Sequence, residues 1–331
     1  MRIGIISFTK AGKYMADRVG EILSEGGHVC SVDGWHKGMS LSRWIKKCWA
    51  EKEAIIFIGA AGIAVRTIAP YLKDKFTDPA VLAMDEKGQF AIPLVSGHVG
   101  GANELALFLE KTAGAVAVIT TATDVNQMFA VDVFARKQNL YLSDRNLAKQ
   151  VSAALLAGEK LGWKADWGKF PVPEGFLVTS KEFDSGKSLG IWITLSSAEK
   201  SNWLKLIPKV VILGIGCRKG TSGRDLSQAA ERMLADCRIS PHAVLGVATI
   251  NIKEKEPAIL ELVNTRGWQL FSYTAGQLQS AQGEFSESEF VQKTVGVGNV
   301  CERAVVCSGA QITVGKTRFP GITMALGIRE N

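Results

Sequence analysis

The sequence predicts an α/β protein: two α/β domains with largely parallel sheets, joined by a small middle α/β segment. Short apolar runs of strand length alternate with helical periodicity along most of the chain. Glycine-rich turns follow several of these runs, as they do in βα units. At roughly 100–200 residues per domain, the 331 residues correspond to two or three domains. We expect an N-terminal domain over 1–130, a middle segment over 131–206 and a C-terminal domain over 207–331.

In the N-terminal domain, apolar runs predict six strands, with amphipathic helices between some of them. The predicted strands are Arg2–Phe8, His28–Val32, Ala54–Ile58, Val81–Met84, Phe90–Val95 and Ala115–Thr120. One helix is predicted over Lys13–Ser24, and a second follows Gly100. The second has apolar residues at the i, i+3, i+4, i+7 spacing of one helix face: Ala102, Leu105, Ala106 and Leu109.

The middle segment has a weaker pattern than the two domains. A helix over Leu147–Leu156 leads into the Trp-, Gly- and Pro-rich stretch 162–175, which is typical of a linker or loop. Two short strands are predicted after it, over Phe176–Thr179 and Leu189–Leu195.

The C-terminal domain begins with an apolar strand at Lys209, and local capping signals predict where its helices start. The predicted helices begin at Ser222, at Pro257 (ending at Gly267), at the capping-box spacing Ser286–Glu289, and over Cys301–Ser308. The further predicted strands are Val244–Ile252 and Gly321–Ile328.

Composition excludes several classes of protein. Hydrophobic residues make up 47% and charged residues 21%, values typical of a folded globular chain rather than a disordered one. No apolar run reaches the ~18 residues of a membrane helix, and the first residues read as a strand rather than a signal peptide, so we expect a cytoplasmic protein. Six scattered cysteines lack metal-ligand spacing, and we expect neither disulfides nor a protein metal site.

The net charge of +7 is dispersed, without the aromatic interleaving of a nucleic-acid surface. We therefore expect no nucleic-acid partner; an anionic small substrate or ordinary surface lysines would explain the charge. The dinucleotide motif GxGxxG fails after Gly214 and Gly216 because Lys219 stands at its third glycine position. The phosphate-binding loop GxxxxGK[ST] fails because Ala310 stands at its first glycine.

Four glycine-rich loops each precede a predicted helix, where exposed backbone N–H groups favour anions. They are Gly59–Arg66, Ser96–Asn103, Gly214–Gly223 and Gly296–Glu302. Each alone could be an ordinary βα turn. Together they predict a binding crevice.

His98 is the candidate catalytic base because it stands between glycines ahead of a helix, where packing gives little reason for an imidazole. It could instead cap the turn or donate to a substrate carboxylate. Asp85, Asp124 and Glu302 lie near predicted strand ends or helix starts, where Asp124 could cap a helix and Glu302 could complement a helix dipole.

Arg66, Arg218 and Lys219 are the candidate carboxylate clamp, although a solvated surface pair is the alternative for the last two. The predicted substrate-binding residues are Gly62, Arg66, Ser96, Gly97, Gly100, Gly101, Asn103, Gly216, Arg218, Lys219, Gly220, Thr221, Ser222 and Glu302.

Taken together, these loops resemble one protein family over nearly the whole chain. The matching strings are GAAGIAVRTIAP, DPAVLAMDEKGQFAIPLVSGHVGGANELA, ITTATD, GIGCRKGTS, IKEKEPAILEL, VGVGNVCERA and KTRFPGITMALG. They are similar to the N- and C-terminal domains of the cobalt-precorrin-5A hydrolases, the CbiG proteins of anaerobic cobalamin biosynthesis. The C-terminal part alone also resembles small stand-alone proteins of cobalamin synthesis that lack the hydrolase N-terminal part.

The resemblance implies that a ring-A acetate lactone is opened and the two-carbon unit at C20 leaves as acetaldehyde, giving cobalt-precorrin-5B. Cobalt would then arrive inside the corrinoid substrate, and no protein cofactor is expected. We hypothesise that His98 or Asp85 assists water, with N–H groups at Gly100–Gly101 or Gly216–Gly220 stabilising the oxyanion. A homodimer and handover to neighbouring pathway enzymes are further expectations. The alternative is a non-catalytic corrinoid carrier.

Overall fold

The computed structural model describes residues 1–74, 76–126, 128–178, 189–198 and 202–330. The chain folds into two compact units, Met1–Phe134 and Ala135–Asn331. The first contains one six-stranded sheet and the second contains two five-stranded sheets. Parallel pairs predominate and helices cover the sheets, so the α/β prediction is confirmed.

The sheet of the first unit has the strand order β2-β1-β3-β4-β5-β6. Its strands are β1 Arg2–Ser7, β2 Val29–Gly34, β3 Ala54–Ile58, β4 Ala80–Met84, β5 Phe90–Val95 and β6 Val116–Ala117. The helices of this unit are α1 Lys10–Glu25, α2 Leu41–Glu51, α3 Ala61–Ile68, α4 Ala102–Ala113 and α5 Ala122–Val125, and α6 Val131–Lys137 begins in it and ends in the second unit.

Both faces of the central strands are buried, which explains why they read as continuous apolar runs. In β3, Ala54, Ile56 and Ile58 pack with α1 and α4, whereas Ile55 and Phe57 pack with α2 and α3. Full burial of each large side chain stabilises the fold by roughly 1.5–3 kcal/mol. Helix α2, which the sequence did not predict, covers the second face through Ile45 and Cys48.

The direction of β5 decides where the glycine loops lie. β1, β2, β3 and β4 run parallel, but β5 pairs antiparallel with β4. The loop that follows β5 therefore emerges at the opposite edge of the sheet from the loops that follow β3 and β4. The buried strand predicted at Ala115–Thr120 is wrong, because β6 has only two residues and Val116 is 53% exposed.

The middle sheet of the second unit has the order β7-β11-β10-β8-β9. Its strands are β7 Leu140–Leu142, β8 Leu161–Ala165, β9 Phe176–Val178, β10 Gly190–Ile193 and β11 Trp203–Pro208, and helix α7 is Arg145–Leu156. The linker predicted over 162–175 is wrong at its start, because Trp163 lies buried in β8 against Phe176. The predicted end of the strand at Thr179 lies outside the described residues.

The C-terminal sheet has the order β14-β13-β12-β16-β15. Its strands are β12 Val211–Cys217, β13 Val244–Ile250, β14 Gln269–Tyr273, β15 Ala310–Phe319 and β16 Ile322–Arg329. The helices are α8 Gly223–Asp236, α9 Pro257–Arg266, α10 Ala275–Ser280, α11 Glu289–Val295 and α12 Cys301–Cys307. Helices α8 and α9 pack on one face of this sheet, and α12 packs on the other.

Helix α12 approaches the sheet closely at Gly214, where a Cβ would overlap the Cys301 carbonyl oxygen. Strand β15 was not predicted, and its pairing with β16 is interrupted at Val314 and Thr317. The middle and C-terminal sheets share one compact unit, with Tyr141 stacked on His242 at 3.7 Å between ring centroids.

Local caps fix most predicted helix starts and ends. Ser222 accepts from the Asp225 N–H at the start of α8, and Gly267 ends α9 with a φ of 65°. The capping box predicted at Ser286–Glu289 is wrong, because Ser288 makes no side-chain cap. Across the described residues, every helix is too short or too polar to cross a membrane.

Candidate functional site

The loop 96–101 carries His98 from the end of β5 into α4. Ser96 adopts a φ of 55° and donates its hydroxyl to the Asp78 carbonyl at 2.9 Å. Gly101 adopts a φ of 86°, and a Cβ on Gly100 would overlap the Ser96 backbone and side chain. The glycines of this loop are therefore required for its compact turn, whatever they bind.

His98 lies between two carboxylates. Its Nε2 is 2.7 Å from Asp124 Oδ2, and its Nδ1 is 3.6 Å from Asp132 Oδ1. We call these three residues the acid–histidine cluster. The hydrogen bond with Asp132 and then that with Asp124 raise the pKa of His98 above its usual 6.5, against the opposing effect of burial. The imidazole is therefore protonated to a larger extent near neutral pH than an exposed histidine.

Asn103 holds Asp124 in place. Its Nδ2 donates to Asp124 Oδ2 at 2.5 Å and to Thr121 Oγ1 at 3.0 Å. Its own backbone is fixed by the N–H bond to the Gly97 carbonyl at 3.0 Å. The predicted residue Asn103 thus reaches the cluster through Asp124, as a positioning group.

A cavity of about 250 Å³ opens beside His98. Its lining is mostly polar around the histidine and apolar along β5: Pro93, Leu94, Val95, Ser96, Gly97, His98, Val99, Asn103, Thr120, Thr121 and Asp132. Asp132 is thus the carboxylate of the cluster that faces the cavity. A carboxylate and an imidazolium side by side can accept one proton and donate another.

The structure does not bring Asp85 to this cavity. Asp85 follows β4 at the opposite edge of the sheet from His98, and its carboxylate accepts from the N–H groups of Lys87 and Phe90 at 2.9 and 2.7 Å. These bonds close the β4–β5 turn. The two candidates for assisting water, His98 and Asp85, therefore do not lie at one site.

Arg66 and Gly62 also lie apart from the acid–histidine cluster. Helix α3, which carries both, begins at the sheet edge where β3 ends, and the Arg66 guanidinium donates to the Gly62 carbonyl at 3.3 Å. The N–H of Gly101 donates to the His98 carbonyl at 3.1 Å, so of the two predicted oxyanion donors there, Gly101 is already used in the turn.

A second and larger site lies in the second unit. A cleft of about 710 Å³ has an apolar floor formed by Ile250, Ile252, Val291, Val295, Val300, Phe319 and Ile322. Five cationic residues also line it: Arg218, Lys219, Lys253, Lys316 and Arg318. We call it the cationic cleft. An apolar surface with cations around it suits a flat apolar ligand that carries carboxylates.

The glycine loop after β12 shapes one wall of the cleft through its backbone. The Arg218 N–H donates to the Gly321 carbonyl at 3.0 Å, and the Gly220 N–H donates to Glu256 Oε1 at 2.9 Å. These N–H groups are therefore not available as the predicted oxyanion donors. Thr221 donates to the Arg218 carbonyl at 2.8 Å, and Gly216 lines the cleft beside Thr323.

Two predicted ligands, Ser222 and Glu302, have structural partners instead. Ser222 caps α8. Glu302 is 6% exposed, and its carboxylate accepts from the Ser286 N–H and hydroxyl, from Asn299 Nδ2 and from the Lys316 N–H. Glu302 therefore ties together segments on either side of the cleft rather than facing a ligand.

Sequence reasoning missed Asp132, Lys253, Lys316 and Arg318 as site residues. Asp132 follows a stretch with a weak pattern, and only the fold brings it to His98. Lys316 and Arg318 lie on β15, which was not predicted, so their alternation on one strand gave no signal.

Family models match three consecutive parts of the chain. They are described as cobalamin synthesis G N-terminal (residues 43–124), cobalamin biosynthesis central region (residues 129–208) and cobalamin synthesis G C-terminus (residues 211–327).

Two relatives that the chain matches over most of its length agree with these models. A protein of Salmonella typhimurium named cobalt-precorrin-5A hydrolase is 38% identical over 289 residues, covering 83% of this chain and 82% of its own. One of the same name from Priestia megaterium is 29% identical, covering 98% and 94%. A crystal structure of a cobalamin biosynthesis protein G homolog from Sulfolobus solfataricus is 20% identical, with a TM-score of 0.44 and coverage of 99% and 97%. The chain belongs to the cobalamin synthesis G (CbiG) family.

Proposed function

We propose that this protein is a cobalt-precorrin-5A hydrolase, which opens the ring-A δ-lactone of a cobalt corrinoid and releases the C20 two-carbon unit as acetaldehyde. The 38% identity over most of the chain to a protein of that name supports the activity. The observation that carries the chemistry is His98 held between Asp124 and Asp132 beside a cavity. Lactone hydrolysis requires such a pair of proton acceptor and proton donor.

In the first step, water adds to the lactone carbonyl and the ring C–O bond breaks. Asp132, which faces the cavity, accepts a proton from the attacking water. The imidazolium of His98 donates a proton to the departing oxygen, which becomes a hydroxyl group. The products are a carboxylic acid on ring A, which ionises by releasing its proton to solvent, and a hydroxyl on the two-carbon unit, with one water consumed.

In the second step, the hydroxyl loses its proton and its carbon becomes the aldehyde carbonyl, while the carbon–carbon bond that joins the two-carbon unit to the macrocycle breaks. The electron pair passes into the macrocycle, which takes up a proton, and acetaldehyde leaves. His98, neutral after the first step, is placed to accept the hydroxyl proton. The cavity of about 250 Å³ is below the ~300–1,000 Å³ of whole-ligand pockets, so it suits the lactone edge rather than a corrin ring.

We assign corrinoid binding to the cationic cleft. Its apolar floor suits the macrocycle, and Arg218, Lys219, Lys316 and Arg318 suit the peripheral acetates and propionates. Cobalt belongs to the substrate in this proposal, and the protein needs no cofactor of its own. A cytoplasmic location, a homodimer and handover of the product to neighbouring enzymes remain part of the proposal.

The test is anaerobic incubation of the purified protein with cobalt-precorrin-5A, followed by acetaldehyde assay and corrinoid mass. We expect several equivalents of acetaldehyde per protein and loss of the two-carbon unit. Stoichiometric binding of an unchanged corrinoid would contradict the hydrolase and support the carrier.

A further inference from the structure

Glu256 is the acidic residue in the lining of the cationic cleft. It stands immediately before α9, and its side chain is 9% exposed. Oε1 accepts the Gly220 N–H at 2.9 Å, and Oε2 accepts from Lys253 Nζ at 2.8 Å. Its carboxylate thus joins the glycine loop to one of the five cations.

The Lys253–Glu256 pair is well shielded from water, because the Lys253 side chain is only 14% exposed. Such a pair is screened less than a surface ion pair. The hydrogen bond from Lys253, and then that from Gly220, lower the pKa of Glu256, so it stays ionised at neutral pH. The charge of Lys253 is thereby cancelled within the wall of the cleft.

We propose that Glu256 sets the ligand selectivity of the cationic cleft, by withholding Lys253 so that the cleft does not bind every polyanionic corrinoid tightly. Arg218, Lys219, Lys316 and Arg318 are then the cations offered to ligand carboxylates. This inference rests on the corrinoid-binding role proposed above. Glu256 is a specificity-determining residue and takes no part in bond cleavage.

The Glu256→Gln variant removes the negative charge of the carboxylate but keeps the hydrogen bond that supports the glycine loop. Its side-chain oxygen keeps the bond from Gly220, while its NH₂ group faces Lys253 and turns that ammonium towards the cleft. We expect cobyrinic acid, a stable cobalt corrinoid whose acetates and propionates are all free, to bind about threefold to tenfold more tightly at low salt. Cobinamide, whose corresponding groups are amides, should bind as to wild type.

Two further variants control this measurement. Lys253→Met combined with Glu256→Gln restores the wild-type net charge of the cleft, and we expect the gain in affinity to vanish. Asp236→Asn also removes one carboxylate beside a cation, Arg232, but on the exposed surface of α8. It should bind both corrinoids as wild type does.

Equal loss of affinity for both corrinoids in Glu256→Gln would overturn the inference, because Glu256 would then only support the loop. Unchanged affinity for both, or a gain that persists without Lys253, would overturn it as well. If wild type binds neither corrinoid, both this inference and the assignment of corrinoid binding to the cationic cleft are wrong. If wild type binds cobyrinic acid and releases acetaldehyde from cobalt-precorrin-5A, but Glu256→Gln has the same affinities for both corrinoids as wild type, only the selectivity role of Glu256 is wrong.

Discussion

The acid–histidine cluster and the cationic cleft differ in the volume of the cavity and in the sign of the charge around it. They also differ in their glycines: those of the loop 96–101 allow its compact turn, whereas Gly220 hydrogen-bonds Glu256 in a wall of the cleft. The first is a small cavity where two carboxylates surround one imidazole. The second is nearly three times as large, with an apolar floor and five cations, one of them paired. The negative charge of Asp132 and Asp124 beside the first cavity disfavours binding of a polycarboxylate, whereas the lining of the cleft contains no histidine that could transfer a proton.

The proposed function therefore assigns different steps to the two units. Proton transfer near neutral pH requires a group such as histidine, and the first site holds His98 against two carboxylates. Affinity for a corrinoid requires apolar area and compensating charge, which the second site offers. Substitutions in the first site should therefore change the rate at saturation, and those in the second should change affinity.

The largest expected effect comes from His98→Asn, which removes the group between the two carboxylates. We expect kcat for acetaldehyde release to fall by about 100-fold or more, because general acid–base catalysis typically contributes that much. The Kd for the corrinoid should be unchanged. A variant that kept full kcat would show that the histidine moves no proton in the reaction.

Arg218→Ala should have a smaller effect, and it should change the Kd for the corrinoid instead of kcat. Loss of one charge-assisted hydrogen bond to a carboxylate weakens binding about tenfold, with kcat at saturation retained. Titration with cobyrinic acid measures the Kd, and Arg232→Gln, an exposed cation of α8 outside the cleft lining, is the matched control. Equal Kd values for Arg218→Ala and wild type would exclude the clamp.

A smaller effect is expected on the pH dependence of folding stability, and it tests whether the two carboxylates favour the protonated form of His98. The pKa of His98 is raised in the folded state, so its protonated form stabilises the fold fully below the usual 6.5. That contribution is lost as pH rises through the folded pKa. Urea unfolding between about pH 5.5 and 9 should show wild type losing stability relative to His98→Asn as pH increases. Parallel curves would mean that the carboxylates do not hold the proton.

Sequence patterns predicted the central strands of both units because burial on both faces leaves continuous apolar runs, as in β3 and β12. Strand β8 was missed because Gly, Trp and Lys interrupt its pattern. Strand β15 was missed although residues 310–314 alternate apolar and polar side chains, because Gly315, Lys316, Thr317 and Arg318 end that alternation. Helix α2 was missed because only two of its eleven residues, Ile45 and Cys48, are buried, which leaves a short apolar face among basic residues.

The sequence indicated candidate site residues only where a reactive or charged side chain stands within a recognisable local motif. His98, Arg218 and Lys219 stand in glycine loops and were found. Asp132 could not be found, because it is 34 residues from His98 in a segment without a motif. Asp85 was chosen from its place after a strand, yet the antiparallel turn of β5 separates it from His98.

Under the proposed function, the acid–histidine cluster does the chemistry while the cationic cleft binds the substrate. Single-turnover acetaldehyde release, measured against cobalt-precorrin-5A concentration for wild type, His98→Asn and Arg218→Ala, distinguishes these two roles. We predict that His98→Asn keeps the half-saturating concentration and loses the plateau rate. Arg218→Ala should reach the wild-type plateau at higher concentration. A lost plateau in Arg218→Ala, or a shifted midpoint with full plateau in His98→Asn, would contradict this division.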